Sequence, residues 1–209
     1  MTSIPEVKSS ARFVGIVGMP NAGKDICARF LEEKFNYLSI RMSAIVVEES
    51  RKRLGTDGDR HQLQEIGAEL RRQYGNGVIA RRIVDDWVPR LVANAERKIG
   101  KESGMLDPKS LHFVFNGVRS SEEVEVFRKE YGSSFCLIAV CSNFETRYKR
   151  AMIRRRVGFD NFDREHFRKL DNSELELGLG DALGLADFYV VNEGSIEEML
   201  EQVRRIVAP

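Results

Sequence analysis

A glycine-rich motif with one lysine is the strongest chemical signal in the chain. Residues 18–25 read GMPNAGKD, a GxxxxGK pattern that ends in Asp25 where Ser or Thr usually follows. The apolar run Phe13–Val17 precedes the motif, and a helical pattern over Lys24–Phe35 follows it. This order of strand, loop and helix directs backbone N–H groups and the positive end of a helix dipole into one concavity. The motif therefore predicts a binding site for nucleotide phosphates.

The donor phosphates are expected to contact the whole loop and the first helical turn. Lys24 can reach the β- and γ-phosphates, and backbone amides supply the other contacts. The residues predicted to bind nucleotide here are Gly18, Met19, Pro20, Asn21, Ala22, Gly23, Lys24, Asp25 and Ile26. The alternative is a glycine-rich turn that joins a strand to a helix and binds nothing.

Two polar residues are candidate ligands for Mg²⁺. The hydroxyl usual at position 25 would bind this cation, which prefers oxygen ligands and keeps several waters. Asp25 can bind it directly or through water, or it can serve as a first-turn acid that the helix dipole favours. Asn116 ends the apolar run Phe113–Phe115, where an Asp would normally be expected. We expect Asn116 to lie near the phosphates and Asp25 to supply the missing negative charge.

Arginines mark two further candidate positions. In the segment NGVR, Gly117 permits a turn and Arg119 can form a bidentate contact with phosphate oxygens. A plain turn with a solvated arginine is the alternative. Farther along, a basic helix is predicted to close over the site and stabilise the transferred phosphoryl group; its cations are Arg147, Lys149, Arg150, Arg154, Arg155 and Arg156. A nucleic-acid patch or an ordinary solvated face would explain the same residues.

Composition limits the function without naming it. The chain has 209 residues, 42% of them hydrophobic, and a formal net charge of +1, which argues against a global nucleic-acid-binding field. No apolar run approaches the roughly 18 residues of a membrane span, so a cytoplasmic location is expected. Three cysteines without CxxC spacing predict reduced thiols, and three scattered histidines show no spacing for a histidine-bound metal.

Short β-branched runs alternate with longer helical patterns, which predicts a parallel sheet covered by helices on both faces. Five strands are expected, at Phe13–Val17, Tyr37–Ile40, His112–Phe115, Phe135–Cys141 and Phe188–Val191. Helices are expected at Lys24–Phe35, Ser43–Leu54, His61–Tyr74, Gly77–Lys98, Glu122–Tyr131, Phe144–Arg155 and Ile196–Val207. We interpret 1–209 as a single α/β domain whose residues 1–11 form a loose tail.

From about Arg12 onward the chain resembles the P-loop nucleotide kinases. The motifs that carry the resemblance are GMPNAGKD, FNGVRSSEEVEVFR, TRYKRAMIRRR, FRKLDNSELELGLGDALGLADFYVVNEGS and the final amphipathic helix. Within that group the chain is similar to uncharacterised archaeal nucleotide-kinase-like proteins related to dephospho-CoA kinase and nucleoside monophosphate kinases. The resemblance implies a P-loop NTPase fold, with ATP and Mg²⁺ as cofactors.

The resemblance also implies roles for particular segments. Residues 37–100 would form an acceptor-binding helical segment and residues 147–175 a lid. Arg119 would hold acceptor phosphate, and Arg150 or Arg154 would close from the lid. The resemblance further places Arg147 on the donor base and the backbone of Asn192 or Gly194 near the adenine.

Several positions depart from the family pattern. Asp25 and Asn116 are two of them, and Ala44 and Val47 are apolar where related kinases usually carry an acid and an arginine. The acceptor pocket would then use other cations, for which Arg41, Arg71 and Arg81 are the candidates. The GKD ending and the segment QLQEIGAELRRQYG are also similar to deoxynucleoside monophosphate kinases and P-loop phosphomevalonate kinases, so Asp25 is compatible with catalysis.

The leading hypothesis is an ATP-dependent kinase for a small, nucleotide-like phosphoryl acceptor, of the nucleoside monophosphate or dephospho-CoA type. Positioning and electrostatic stabilisation would supply most of the catalysis. Two alternatives are a nucleotide-binding regulatory or degenerate protein with little turnover and an RNA-associated ATPase that uses the basic helix. No membrane partner is expected.

Overall fold

The computed structural model describes residues 12–99, 111–153 and 163–208. Its strands form a five-stranded parallel sheet in the order β2-β3-β1-β4-β5. The strands are β1 (Phe13–Val17), β2 (Tyr37–Arg41), β3 (His112–Val118), β4 (Phe135–Cys141) and β5 (Phe188–Val191). The predicted five-stranded parallel sheet is confirmed, with β3 three residues longer than expected.

Helices connect the strands in the described ranges. They are α1 (Lys24–Phe35), α2 (Ser43–Leu54), α3 (Arg60–Tyr74), α4 (Val78–Arg82), α5 (Val88–Ile99), α6 (Ser121–Tyr131), α7 (Phe144–Ile153), α8 (Arg164–Glu176), α9 (Leu179–Gly184) and α10 (Ile196–Val207). The sequence patterns did not predict α8 and α9. The expected tail at 1–11 and the end of the predicted basic helix lie outside the described residues.

The helix expected over Gly77–Lys98 contains a π-helical segment at Ile83–Trp87, between α4 and α5. Pro89 is the second residue after this segment. Because proline has no N–H to donate to the preceding turn, the regular hydrogen-bond ladder cannot continue through it. The apolar periodicity predicts the helical run correctly but is insensitive to this change of winding.

Apolar cores lie on both faces of the sheet. Val14, Ile16 and Val114 belong to the core that includes residues of α1 and α10, whereas Phe113 and Phe115 belong to the core on the opposite face with residues of α2 to α6. Alternate residues of a strand point to opposite faces, so β1 and β3 are buried on both sides. This double burial fixes where the carboxyl ends of the central strands lie.

A bulge near the end of β3 sets the direction of the polar residues there. Ile16 pairs with Asn116 and Val17 with Val118, so Gly117 is the extra residue of β3. Its φ of 98° lies in the left-handed region that favours glycine. The bulge keeps Val118 buried while the chain turns toward Arg119 and α6.

Within the described ranges, no helix has both the length and the apolar character that a membrane crossing requires. The three cysteines carry free thiols, as predicted, and Cys27 and Cys136 are buried in the apolar core.

Substitution of Phe127 in α6 provides a test of the apolar core between α6 and the sheet. Its ring is fully buried and stacks on Phe115 with a centroid distance of 4.3 Å. We expect Phe127→Ala to lower the free energy of unfolding by about 3–5 kcal/mol, because it removes a buried ring and leaves a cavity. The control is Ile153→Ala, because Ile153 is 83% exposed. Urea titrations of both variants provide the measurement, and an equal loss in the two would contradict this role.

Candidate functional site

A cavity of about 1220 Å³ opens at the carboxyl edge of the sheet. One side of this cavity, the predicted donor side, is formed by the loop between β1 and α1, with Gly18, Lys24 and Asp25. The other side, the predicted acceptor side, contains Arg71 of α3 and Arg119 after β3. Its apolar wall includes Met42, Val46, Leu63, Ile79 and Val118. Leu170 and Glu174 of α8 also line the cavity. One space therefore joins the predicted phosphate loop to predicted acceptor arginines.

The donor loop leaves the start of α1 open. Gly23 is the N-cap of α1, and no side chain caps this helix end by a hydrogen bond. The N–H groups of the first turn of a helix attract an anion when they have no such partner. Gly23 has a φ of 115°, and a Cβ at this position would lie 2.4 Å from Nδ2 of Asn192. Glycine is therefore required by both the backbone conformation and the packing behind the loop.

Lys24 lies across the donor loop. Its Nζ donates hydrogen bonds to the carbonyl oxygens of Gly18 at 2.6 Å and Met19 at 3.0 Å. Burial, and secondly the charge of Arg119, lower the pKa of Lys24 to about 8. A lysine that has lost water in this way gains strongly from a phosphate, which would restore an opposite charge beside it.

Asp25 and Asn116 are in direct contact. The Asn116 Nδ2 donates a hydrogen bond of 2.7 Å to Oδ1 of Asp25, which joins the end of β3 to the first turn of α1. Asn116 is buried and Asp25 is exposed at the cavity. The two candidate metal ligands thus lie together, with the amide orienting the carboxylate. No cluster of three or more His, Cys, Asp or Glu suited to a metal occurs in the described ranges.

Asn192 supports the loop from behind. Its Nδ2 donates to the carbonyl oxygen of Ala22 at 2.7 Å, and the residue is 3% exposed. Arg150 in turn donates to both oxygens of Asn192, at 2.9 Å to the backbone and 3.0 Å to Oδ1. This arrangement places Arg150 in a supporting position at the ends of β4 and β5, and Arg150 is not among the residues lining the cavity. This supporting position differs from the lid position that the resemblance implies for Arg150.

Arg147 also lies behind the donor loop. Its guanidinium forms two hydrogen bonds with Asp171 of α8, at 2.7 and 2.6 Å, and donates to the carbonyl oxygen of Pro20 at 3.3 Å. Arg147 and Asp171 are both buried. Arg147 therefore forms a buried ion pair between α7 and α8 that contacts the loop. This differs from the stacking on a donor base that the resemblance implies for Arg147.

The acceptor side contains two arginines with nearby carboxylates. The Nε of Arg119 lies 3.4 Å from Oε2 of Glu174, and Nη2 of Arg71 lies 3.7 Å from Oε1 of Glu123. Glu123 is fully buried and accepts a hydrogen bond of 2.8 Å from the backbone N–H of Arg119. Burial raises the pKa of Glu123 and lowers that of Arg71.

Among the three arginines proposed as replacement acceptor cations, Arg71 lines the cavity, whereas Arg41 and Arg81 do not. Arg81 instead donates to the backbone carbonyl of Tyr74.

The remaining predicted residues divide into two groups. Pro20 and Asn21 line the cavity, whereas Met19, Ala22 and Ile26 pack into or against the apolar cores. Arg154 lies outside the described residues. The sequence reasoning missed Glu123, Asp171 and Glu174 as site residues. The last two are three residues apart, a spacing that places them on one helical face, but this signal is visible only once α8 is recognised as a helix.

Breaking the ion pair of Arg147 and Asp171 provides a test of how the loop is supported. We expect Asp171→Asn to lower the free energy of unfolding by about 3 kcal/mol, because it leaves a buried guanidinium without its counter-charge. The matched control is Glu145→Gln in α7, which disrupts the exposed pair of Glu145 with Arg164 and should cost less than about 1 kcal/mol. Chemical denaturation of both variants measures the difference. Equal stability of the two would show that the buried pair does not have this role.

Solved structures of kinases share the architecture. The chain aligns with shikimate kinase from Bacteroides thetaiotaomicron with a TM-score of 0.54 and 10% identity, over 93% of this chain and 95% of that one. It aligns with a gluconokinase from Sinorhizobium meliloti with a TM-score of 0.50 and 13% identity, over 93% and 89% of the two chains. Identities this low show similarity of fold alone. The α/β architecture with strand order 2-3-1-4-5 is that of the P-loop small-molecule kinases.

The relatives found by sequence have a higher identity with this chain than the kinase structures do, and they come from archaea. No protein-family model matches the chain. A UPF0200 protein of Methanothermobacter thermautotrophicus is 33% identical over 195 residues, which cover 93% of this chain and 88% of that protein. A UPF0200 protein of Sulfurisphaera tokodaii is 32% identical over 95% of this chain and 97% of its own length. Since this similarity extends over nearly the whole of each sequence, the chain belongs to the UPF0200 family.

Proposed function

We propose that this protein is an ATP-dependent phosphotransferase that moves the γ-phosphoryl group to a small, nucleotide-like acceptor. The observation that carries the proposal is the shared cavity, which is lined by Lys24 of the predicted phosphate loop together with Arg71 and Arg119. Phosphoryl transfer requires mainly that donor and acceptor be aligned and that charge on the transferred group be stabilised. A cavity with a predicted phosphate-binding loop on one side and arginines on the other would meet both requirements. The cytoplasmic location expected from the sequence agrees with ATP as a substrate.

On the donor side, the uncapped N–H groups of α1 and the side chain of Lys24 would bind the phosphates. In this proposal Lys24 exchanges its hydrogen bonds to Gly18 and Met19 for bonds to phosphate oxygens. Arg147 and Asn192 would act by holding the loop in shape, since their polar groups already bind Pro20 and Ala22. Fixed donors of this kind need little reorganisation during the reaction.

Mg²⁺ would be held by Asp25, with Asn116 as its orienting neighbour. The exposed carboxylate lies at the start of α1, beside the region proposed for the phosphates, and its orientation is set by the Asn116 amide. A single carboxylate is enough, because Mg²⁺ is commonly bound through one or two carboxylates together with substrate phosphates and water. When bound, the ion would neutralise charge on the β- and γ-phosphate oxygens.

Arg119 is proposed to bind the acceptor or the transferred phosphoryl group. It lies at the end of β3 in the cavity, and its backbone is fixed by Glu123. Arg150 would contribute through Asn192 rather than by direct contact with substrate. Arg154 stays a candidate lid cation on the basis of the sequence alone.

Lys24 provides the primary test. Purified protein is incubated with ATP and Mg²⁺ and with a panel of nucleoside monophosphates, dephospho-CoA and phosphorylated metabolites, and products are identified by mass spectrometry. We expect Lys24→Ala to reduce transfer at least about 100-fold, because it removes a cation from the developing charge. Lys34→Ala, in the last turn of the same helix and exposed, is the control.

Arg119→Ala is expected to raise the acceptor KM while the Kd for ATP stays unchanged. Normal turnover in Lys24→Ala would overturn the site. Tight nucleotide binding without consumption of any acceptor would instead support the regulatory alternative.

The contact between Asp25 and Asn116 provides a second test, by a double-mutant cycle. We expect Asp25→Ser to raise the Mg²⁺ concentration for half-maximal activity about tenfold, because the ion loses its charged ligand. Asn116→Asp should reverse this loss in the Asp25→Ser background. In the natural background, Asn116→Asp should instead place two carboxylates in contact, so that their charges repel each other.

The expected coupling between the two sites is about 1 kcal/mol or more, as is usual for residues in contact. Additive, independent effects on the Mg²⁺ requirement would argue against a shared site.

A further inference from the structure

A carboxylate on α8 lies among the cations of the cavity. The Oε2 of Glu174 is 3.4 Å from the Nε of Arg119, and the Glu174 side chain is 13% exposed. Glu174, Lys24, Arg71 and Arg119 all line the same cavity. Glu174 is therefore held inside the space between the donor loop and the acceptor arginines.

The other charged groups of the cavity agree with this placement. Lys24 lines this cavity too, where its Nζ donates hydrogen bonds to the carbonyl oxygens of Gly18 and Met19. Glu174 is also among the charges that act on Arg71. The carboxylate thus pairs with Arg119 and shares one cavity with Lys24 and Arg71.

The acceptor arginines already have counter-charges. Glu174 pairs with Arg119 and the buried Glu123 pairs with Arg71. An acceptor that attacks through a phosphate oxygen would bring further negative charge beside both Glu174 and the γ-phosphate, and like charges in such proximity are costly. A hydroxyl acceptor is neutral before the reaction and needs a group that accepts its proton.

We propose that Glu174 is a catalytic carboxylate and that the nucleophile of the acceptor is a hydroxyl group. The proposal rests on the phosphotransferase function and narrows its acceptor to a small alcohol. The hydroxyl oxygen forms a bond to the γ-phosphorus, the bond from that phosphorus to the β,γ-bridging oxygen breaks, and its electron pair leaves with ADP. The hydroxyl proton passes to a carboxylate oxygen of Glu174 and then to solvent. Arg119 orients the carboxylate for this step.

Water can replace the unknown alcohol in a first experiment. We expect slow ATP hydrolysis, measured by release of inorganic phosphate with Mg²⁺ present, to fall about 100-fold in Glu174→Gln, because the amide cannot accept the proton. The Kd for ATP, measured by calorimetry, should change less than about twofold. Glu174→Asp should retain more activity than the Gln variant, since it keeps a carboxylate. Glu165→Gln, an exposed residue of the same helix, is the control and should match the natural protein.

A second experiment identifies the nucleophile with two probes. Dephospho-CoA offers hydroxyl groups, whereas AMP offers both a phosphate and ribose hydroxyls, and mass spectrometry of the products locates the new phosphoryl group. The proposal expects transfer to oxygen of a hydroxyl and loss of that transfer in Glu174→Gln. Formation of ADP from AMP as the acceptor, or a Glu174→Gln variant as active as the natural protein or more so, would overturn the proposal while leaving the phosphotransferase function intact. Absence of ATP binding and hydrolysis in the natural protein would instead overturn the function itself.

Discussion

The open helix end at the donor loop is the constraint on which the rest of the site depends. The first N–H groups of α1 receive no side-chain cap, so the loop must be held in shape without using the groups that would bind a ligand. The hydrogen bonds that do this reach the loop through carbonyl oxygens, from Asn192 to Ala22 and from Arg147 to Pro20. Both donors lie in the C-terminal half of the chain. The shape of the motif is therefore completed by residues more than 120 positions away in sequence.

Charge at the site is organised in pairs. Arg147 with Asp171 and Arg119 with Glu174 are both joined to α8, and Arg71 with Glu123 lies beneath the acceptor side. Buried charges are tolerated in proteins when each has a partner and suitable hydrogen bonds. The pairing holds long side chains in defined positions before any substrate arrives, which reduces the reorganisation that a reaction requires. Lys24 differs from these arginines, because its ammonium contacts backbone carbonyls and so stays available for an anion.

The sheet and the donor loop could be predicted because their signals are local. The GxxxxGK motif, the apolar strands and the residues at strand ends identify one edge of the sheet, and the contact of Asp25 with Asn116 follows from that topology. The partners of Arg147 and Arg150 could not be predicted in this way. Helical spacing shows that these arginines share a face, but it does not reveal that Asp171 and Asn192 lie opposite. Helix α8 was missed because it is largely polar: of its thirteen residues, Phe167 and Asp171 are the buried ones.

Helix α8 also has a consequence for how this family can diverge. Asp171 pairs with Arg147, which contacts the donor loop, and Glu174, one turn farther along, pairs with Arg119 on the other side of the cavity. A substitution that shifts or rotates this helix to suit a new acceptor would displace both arginines together. If the proposed function holds, a change of acceptor is therefore expected to vary the walls contributed by α2 and α3, such as Val46 and Leu63, rather than α8.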